Sequence, residues 1–120
     1  MSELPVELGR VLPLSRSLLH LLLALQEGAR HGYAVKKRVE ALSDGVVKMG
    51  PGTLYTTIQR AEEQGLIRES DGRPPEDEDQ TQRRYYELTE LGRSALAAEV
   101  ERLDVFVSSA RAALGGAATG

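Results

Sequence analysis

Residues 50–67 read GPGTLYTTIQRAEEQGLI, and the fold of the whole chain turns on them. Gly50 and Gly52 flank Pro51, which suits the first turn of a helix, where a missing N–H leaves no bond unmade. Leu54, Ile58 and Ala61 recur at the spacing of one buried helical face. Gly65 ends the helix, and Leu66 and Ile67 lead into a short extended segment, LIRES. The outward side carries Thr53, Thr56, Thr57, Gln59 and Arg60, with Tyr55 at the boundary. The stretch therefore predicts a short helix with an apolar inner face and a polar, cation-bearing outer one.

Working outward toward the N-terminus, HGYAVKKRVEALS (residues 31–43) predicts a second amphipathic helix. Tyr33 or Ala34, Val35, Val39 and Leu42 point inward, and Lys36, Lys37 and Glu40 lie outside. Before it, SRSLLHLLLALQE (15–27) places Leu18, Leu22 and Leu25 on one stripe and Leu19 and Leu23 on another, closed by Gly28. An apolar surface that wide predicts cover from this domain on one side and a second subunit on the other. Toward the C-terminus, a polar loop, DGRPPEDEDQTQ, separates LIRES from a second strand, RRYYEL, and Thr89 supplies an N-cap. From Glu90 to about Leu114 a last helix repeats Leu96, Val100, Leu103 and Val107 at coiled-coil-like spacing, with Ala98, Val105 and Ala112 on another stripe. The tail GGAATG lacks apolar periodicity and reads as frayed.

The order helix, helix, helix, strand, loop, strand, long helix is that of a winged helix-turn-helix: mostly α with a small β-hairpin, plus a C-terminal dimerisation helix. The implied organisation is an N-terminal extension (1–14), the winged domain (15–88), the dimerisation helix (89–114) and a disordered tail (115–120). In such a unit the third helix enters the major groove of DNA, about 12 Å wide. Arg donates bidentately to guanine, Gln pairs with adenine, and Thr meets the thymine methyl. The expected DNA-binding residues are thus Thr53, Tyr55, Thr56, Gln59 and Arg60 for bases, with Lys36, Lys37, Lys48, Arg83 and Arg84 on phosphates. Leu18, Leu22, Leu96, Val100, Leu103 and Val107 are the expected dimer interface.

The 120-residue chain carries a net charge of −3. From Gly28 to Arg60, however, six basic residues (Arg30, Lys36, Lys37, Arg38, Lys48, Arg60) face two acidic ones (Glu40, Asp44), leaving −7 for the remainder. Distant charges are largely screened beyond about 8 Å at physiological salt, so the local surplus governs docking on phosphate.

Three stretches, HGYAVKKRVE, GPGTLYTTIQRAEEQGLI and RRYYELTELGRSAL, resemble the phenolic-acid-responsive PadR family of winged-helix regulators. The resemblance covers roughly residues 15 to 105. Its strongest piece is Pro51-Gly52-Thr53-Leu54-Tyr55 followed by Gly65-Leu66, and its second is Arg84-Tyr85-Tyr86 leading to Leu88-Thr89 and Gly92. It implies that the first and last helices form the dimer interface, that the third helix reads DNA and that small aromatic or drug-like effectors release it. Two departures stand out. Glu76 to Asp79 put four acids where a wing approaches phosphate, so the loop either swings away, leaving the contacts to Arg73, Arg83 and Arg84, or opposes non-specific binding. The chain also has no tryptophan, the residue on which drug-binding members stack flat ligands.

Other classes fit poorly. There is no cysteine, hence neither a disulfide framework nor a thiolate metal site, and no cofactor is expected. With two histidines, no phosphate-binding glycine loop and no acid pair in an apolar setting, an enzyme is not expected. His20 and His31 read as structural, Asp77 and Asp79 lack the further ligands of a calcium loop, and the four tyrosines read mainly as packing residues. No segment reads as a signal peptide, and the run Leu18 to Leu25 is too short to span a bilayer, which predicts a cytoplasmic protein. The expected partners are double-stranded DNA, a second copy of the chain and a small apolar effector between the first and last helices, near Phe106. The alternative is a winged helix that binds proteins instead of DNA, a use that would favour exposed apolar anchors over the polar face of the third helix.

Overall fold

The computed structural model describes residues 6–71 and 84–119. The elements in chain order are α1 (Val6–Val11), α2 (Arg16–Leu25), β1 (Arg30–His31), α3 (Gly32–Leu42), α4 (Pro51–Glu63), β2 (Ile67–Ser70), β3 (Tyr85–Leu88) and α5 (Glu90–Thr119). The mostly helical winged-helix plan is the one the sequence predicts, with two additions. One is α1, within the N-terminal extension, which packs on α5 and buries Leu8. The other is β1. The expected hairpin is a three-stranded antiparallel sheet of order β1-β3-β2, in which Arg30 pairs with Tyr86 and His31 with Tyr85 on one side of β3, and Ile67 with Leu88 on the other.

Each element is set by local chemistry. The Ser15 hydroxyl accepts from the Leu18 N–H at 3.2 Å and caps α2. The His31 ring caps α3, its Nδ1 accepting from the Ala34 N–H at 3.2 Å, and stands edge-on to Tyr85 at 5.3 Å. At the end of α4, Gly65 has φ +75°. Leu66 N–H then reaches the Ala61 carbonyl at 2.9 Å and Gly65 N–H the Glu62 carbonyl at 3.0 Å, a Schellman closure that the left-handed glycine permits.

The core is centred on α2, which touches α3, α4, α5 and β3. Leu18, Leu21, Leu22, Ala24 and Leu25 are all buried there. The chain itself covers the stripe of Leu18, Leu22 and Leu25, as expected of one side of this helix, while on the other stripe Leu23 is at the surface and Leu19 is partly buried. The first half of α5 packs on the body through Ala95 and Leu96. From Asp104 to Leu114 the side chains of the helix are largely exposed, and the fold spans 59 Å along its longest axis.

Where α5 leaves the body, Glu99 is 1% exposed. Its carboxylate accepts from Arg102 Nε at 2.8 Å and Nη2 at 2.9 Å. The Arg102 bond, opposed by burial and helped by the Leu14 backbone N–H, holds the carboxyl below the ordinary glutamate value of 4.5. A lowered folded value means that the stabilisation is present above the unfolded pKa and is lost as pH falls through the folded one. Urea midpoints of wild type and Glu99→Gln should therefore differ most near neutrality and converge as the pH drops below about 4.5; a difference independent of pH would show that charge at Glu99 is immaterial.

Candidate nucleic-acid interface

The core contacts of α4 decide what it leaves outside. Leu54, Ile58 and Ala61 are buried as their spacing requires, and Thr53, Tyr55, Thr56, Gln59 and Arg60 are exposed along the opposite side, Tyr55 at 65%. Thr57, expected outside, is 5% exposed and is a correction. It lies beside the Leu54–Ile58–Ala61 stripe, and its hydroxyl donates to the Thr53 carbonyl at 2.6 Å, so it buries its methyl group with its polar atom satisfied. Gly50 at the N-cap provides no side-chain bond. The first N–H groups of α4 consequently point to whatever lies beyond its N-terminus, a setting that favours phosphate.

The basic surplus counted along the sequence shrinks in three dimensions. Glu27, just outside the counted stretch, is shared by Arg30 and Arg38, and Arg30 Nε also donates to the Ala24 carbonyl at 2.9 Å. These two arginines tie the end of α2 to β1 and α3, and Glu27 is held below its ordinary pKa first by the Arg38 bond. Lys36 Nζ lies 3.1 Å from Glu40 Oε2. Among the described residues, Lys37, Lys48 and Arg60 form no ion pair. Lys37 Nζ instead lies 5.7 Å from the centre of the Tyr33 ring. Tyr33, read as a packing residue, is 60% exposed; of the two inward candidates Tyr33 and Ala34, it is Ala34 that is partly buried.

At the wing, Arg84 is 75% exposed and 3.7 Å from Glu69 Oε2, and Arg68 pairs across the sheet with Glu87 at 2.7 Å. Arg73, Arg83 and the acids Glu76 to Asp79 lie outside the described residues. Tyr86 is buried, which together with Glu62 raises its phenol pKa; Tyr85 and Tyr86 are core residues of β3.

The six residues expected at a dimer interface divide. Leu18, Leu22 and Leu96 are 4%, 0% and 6% exposed; they face the chain's own core and have no surface left for a partner. Val100 and Val107 are exposed and Leu103 is half-buried. They continue along α5 into an apolar face with Phe106, Ala110 and Leu114. Ala110 and Leu114, missing from the expected interface, continue that repeat at the positions the heptad spacing indicates, and Phe106 lies beside it.

No described helix is long and apolar enough to cross a membrane, and no described group of His, Asp or Glu could hold a metal ion. Comparison with known proteins gives a family match, to the transcriptional regulator PadR-like family, over residues 21–98. An uncharacterised 37.1 kDa protein of a Streptomyces fradiae transposon, TN4556, is 32% identical over 83 residues; that match takes in 69% of this chain and 21% of the larger protein. The fold is similar to that of a transcriptional regulator from Clostridium thermocellum, with TM-score 0.64 and 25% identity over 78% of this chain and 88% of that one. It is similar too to a PadR family transcription regulator of Clostridium difficile, with TM-score 0.64 and 20% identity over 81% and 95%. RosR of H. salinarum in a complex gives TM-score 0.62 at 22% identity over 90% and 98%. The family match spans well over half of the sequence, from the middle of α2 to the first turns of α5, and includes all of α3, α4 and the sheet: this chain belongs to the PadR-like family of transcriptional regulators.

Proposed function

We propose that the chain acts as a homodimeric DNA-binding repressor in which α4 reads the major groove. The observation that carries this is the exposed side of α4: Thr53, Thr56, Gln59 and Arg60 form a polar face with one unpaired cation, above a core that fixes its orientation. Lys37, Lys48 and Arg84 supply phosphate contacts, with Lys36 available once it leaves Glu40. Tyr55 lies at the edge of the reading face.

Dimerisation uses the apolar face of α5 through Val100, Leu103, Phe106, Val107 and Leu114, of which all but the half-buried Leu103 are exposed among the described residues. Two α4 helices then meet half-sites of a pseudo-palindrome about one helical turn, roughly 34 Å, apart. Blocking polymerase is the simplest output, and the place of action is the cytoplasm. A small apolar effector seated against the α5 face would release DNA by binding the DNA-incompetent dimer more tightly than the competent one.

The test is binding of the purified protein to DNA upstream of its own gene across a salt series. Saturable binding to an inverted repeat with a steep negative salt slope is expected, together with a dimer by light scattering at micromolar protein. Leu103→Asp should give monomers that lose the repeat. Equal affinity for upstream and random DNA, or a Leu103→Asp variant that remains dimeric, would contradict the corresponding half of the reading.

A further inference from the structure

Glu40 is the only acid on α3, and helix stability does not account for it. It lies in the last turn, where the helix dipole disfavours negative charge. Its partner Lys36 is on its N-terminal side, the weaker order for a pair four residues apart. Yet it sits among three lysines. Lys36 donates to it at 3.1 Å, and this bond, aided by the fields of Lys36, Lys48 and Lys37 against the cost of burial, keeps the carboxylate ionised below its ordinary pKa. Lys48 lies three residues before α4, in the segment that joins it to α3, and the two helices pack against each other. The carboxylate thus lies among lysines of α3 and of the segment that leads into α4.

We propose that Glu40 is a specificity-determining residue: it stands in for a backbone phosphate, keeps Lys36 occupied and lowers the attraction of the Lys36–Lys37–Lys48 surface for DNA of any sequence. The proposal rests on the DNA-binding reading above. In a non-specific complex the protein shifts along the duplex and a freed lysine finds a phosphate. In the specific complex base contacts fix the register, and the reach of Lys36 is fixed with it. Removing the carboxylate should therefore strengthen random binding more than specific binding.

The experiment measures affinity of the full chain for a random duplex and for the upstream DNA, across a salt series, for wild type, Glu40→Gln and Glu40→Gln with Lys36→Met. Each added phosphate contact steepens the salt slope by about 0.9 and, at about 0.15 M salt, tightens binding roughly fivefold, so a dimer gaining one per subunit steepens it by about 1.8 and binds roughly thirtyfold tighter. Glu40→Gln should show this on random DNA, with a smaller gain on upstream DNA, and the added Lys36→Met should abolish it. Unchanged or weaker random binding, an equal gain on both duplexes, or a gain that survives loss of Lys36 would overturn the proposal. A wild type that binds no duplex would overturn the DNA reading itself and this inference with it.

Discussion

Replacing Gly92 with alanine should destabilise the protein by about 3 kcal/mol or more, although alanine in a helix ordinarily gains about 1 kcal/mol over glycine. Gly92 lies in the first turn of α5, and a Cβ built there would be 2.0 Å from the Leu66 carbonyl oxygen and 2.9 Å from its carbon. The obstacle is backbone, so no rotamer change relieves it. Nor can the two segments simply separate. Thr89 N–H donates to that same Leu66 carbonyl at 3.0 Å, the Thr89 hydroxyl donates to the Gly65 carbonyl at 2.5 Å, and it accepts from Gly92 N–H at 3.0 Å. The glycine lets α5 start directly on the turn that ends α4, so this contact sets the long helix relative to the reading helix. Urea denaturation would measure the loss. Equal or higher stability for Gly92→Ala would show that the junction is looser than described, and a milder loss with weakened DNA binding would indicate that α5 had shifted.

Much of the fold was legible because its signals act within a few residues. Gly50-Pro51 and Gly65 punctuate α4 through local backbone chemistry, and α4 runs from Pro51 to Glu63 between them. Thr89 likewise caps α5 as its hydroxyl and position suggest. What escaped depends on parts of the chain distant in sequence. The strand β1 has two residues, too few to show a period, and exists because β3, more than fifty residues later, pairs with it. The leucine spacing of α2 reveals two apolar sides but not which of them the fold covers; the central position of α2 buries the side of Leu18 and Leu22, which removes both from any interface. Thr57 required knowing that its hydroxyl returns to Thr53.

The candidate site shows the same division. Thr53, Thr56, Gln59 and Arg60 were legible because a helical face follows from spacing alone. The cations were not, since the pairing of Arg30 and Arg38 with Glu27 and of Lys36 with Glu40 depends on how helices and strand meet. A linear charge count treated all of them as equally available to DNA. For Gly92 the sequence shows a glycine in a helix but not the carbonyl against it.

The central claim, that α4 reads base edges, bears most heavily on Arg60, the exposed cation of its last turn. A guanidinium can donate two bonds to a guanine in the major groove, each good bidentate pair giving about 1–3 kcal/mol of discrimination. Lysine keeps the charge but not the planar fork, so it separates base reading from phosphate attraction. The most direct measurement compares wild type, Arg60→Ala and Arg60→Lys on the upstream DNA and on duplexes carrying each single base-pair change. If α4 reads bases through Arg60, the alanine variant loses about 1–3 kcal/mol. Both variants then relax their preference at one position of each half-site, and Arg60→Lys retains the wild-type salt slope. Undiminished affinity and unchanged base preference in Arg60→Ala would contradict the account.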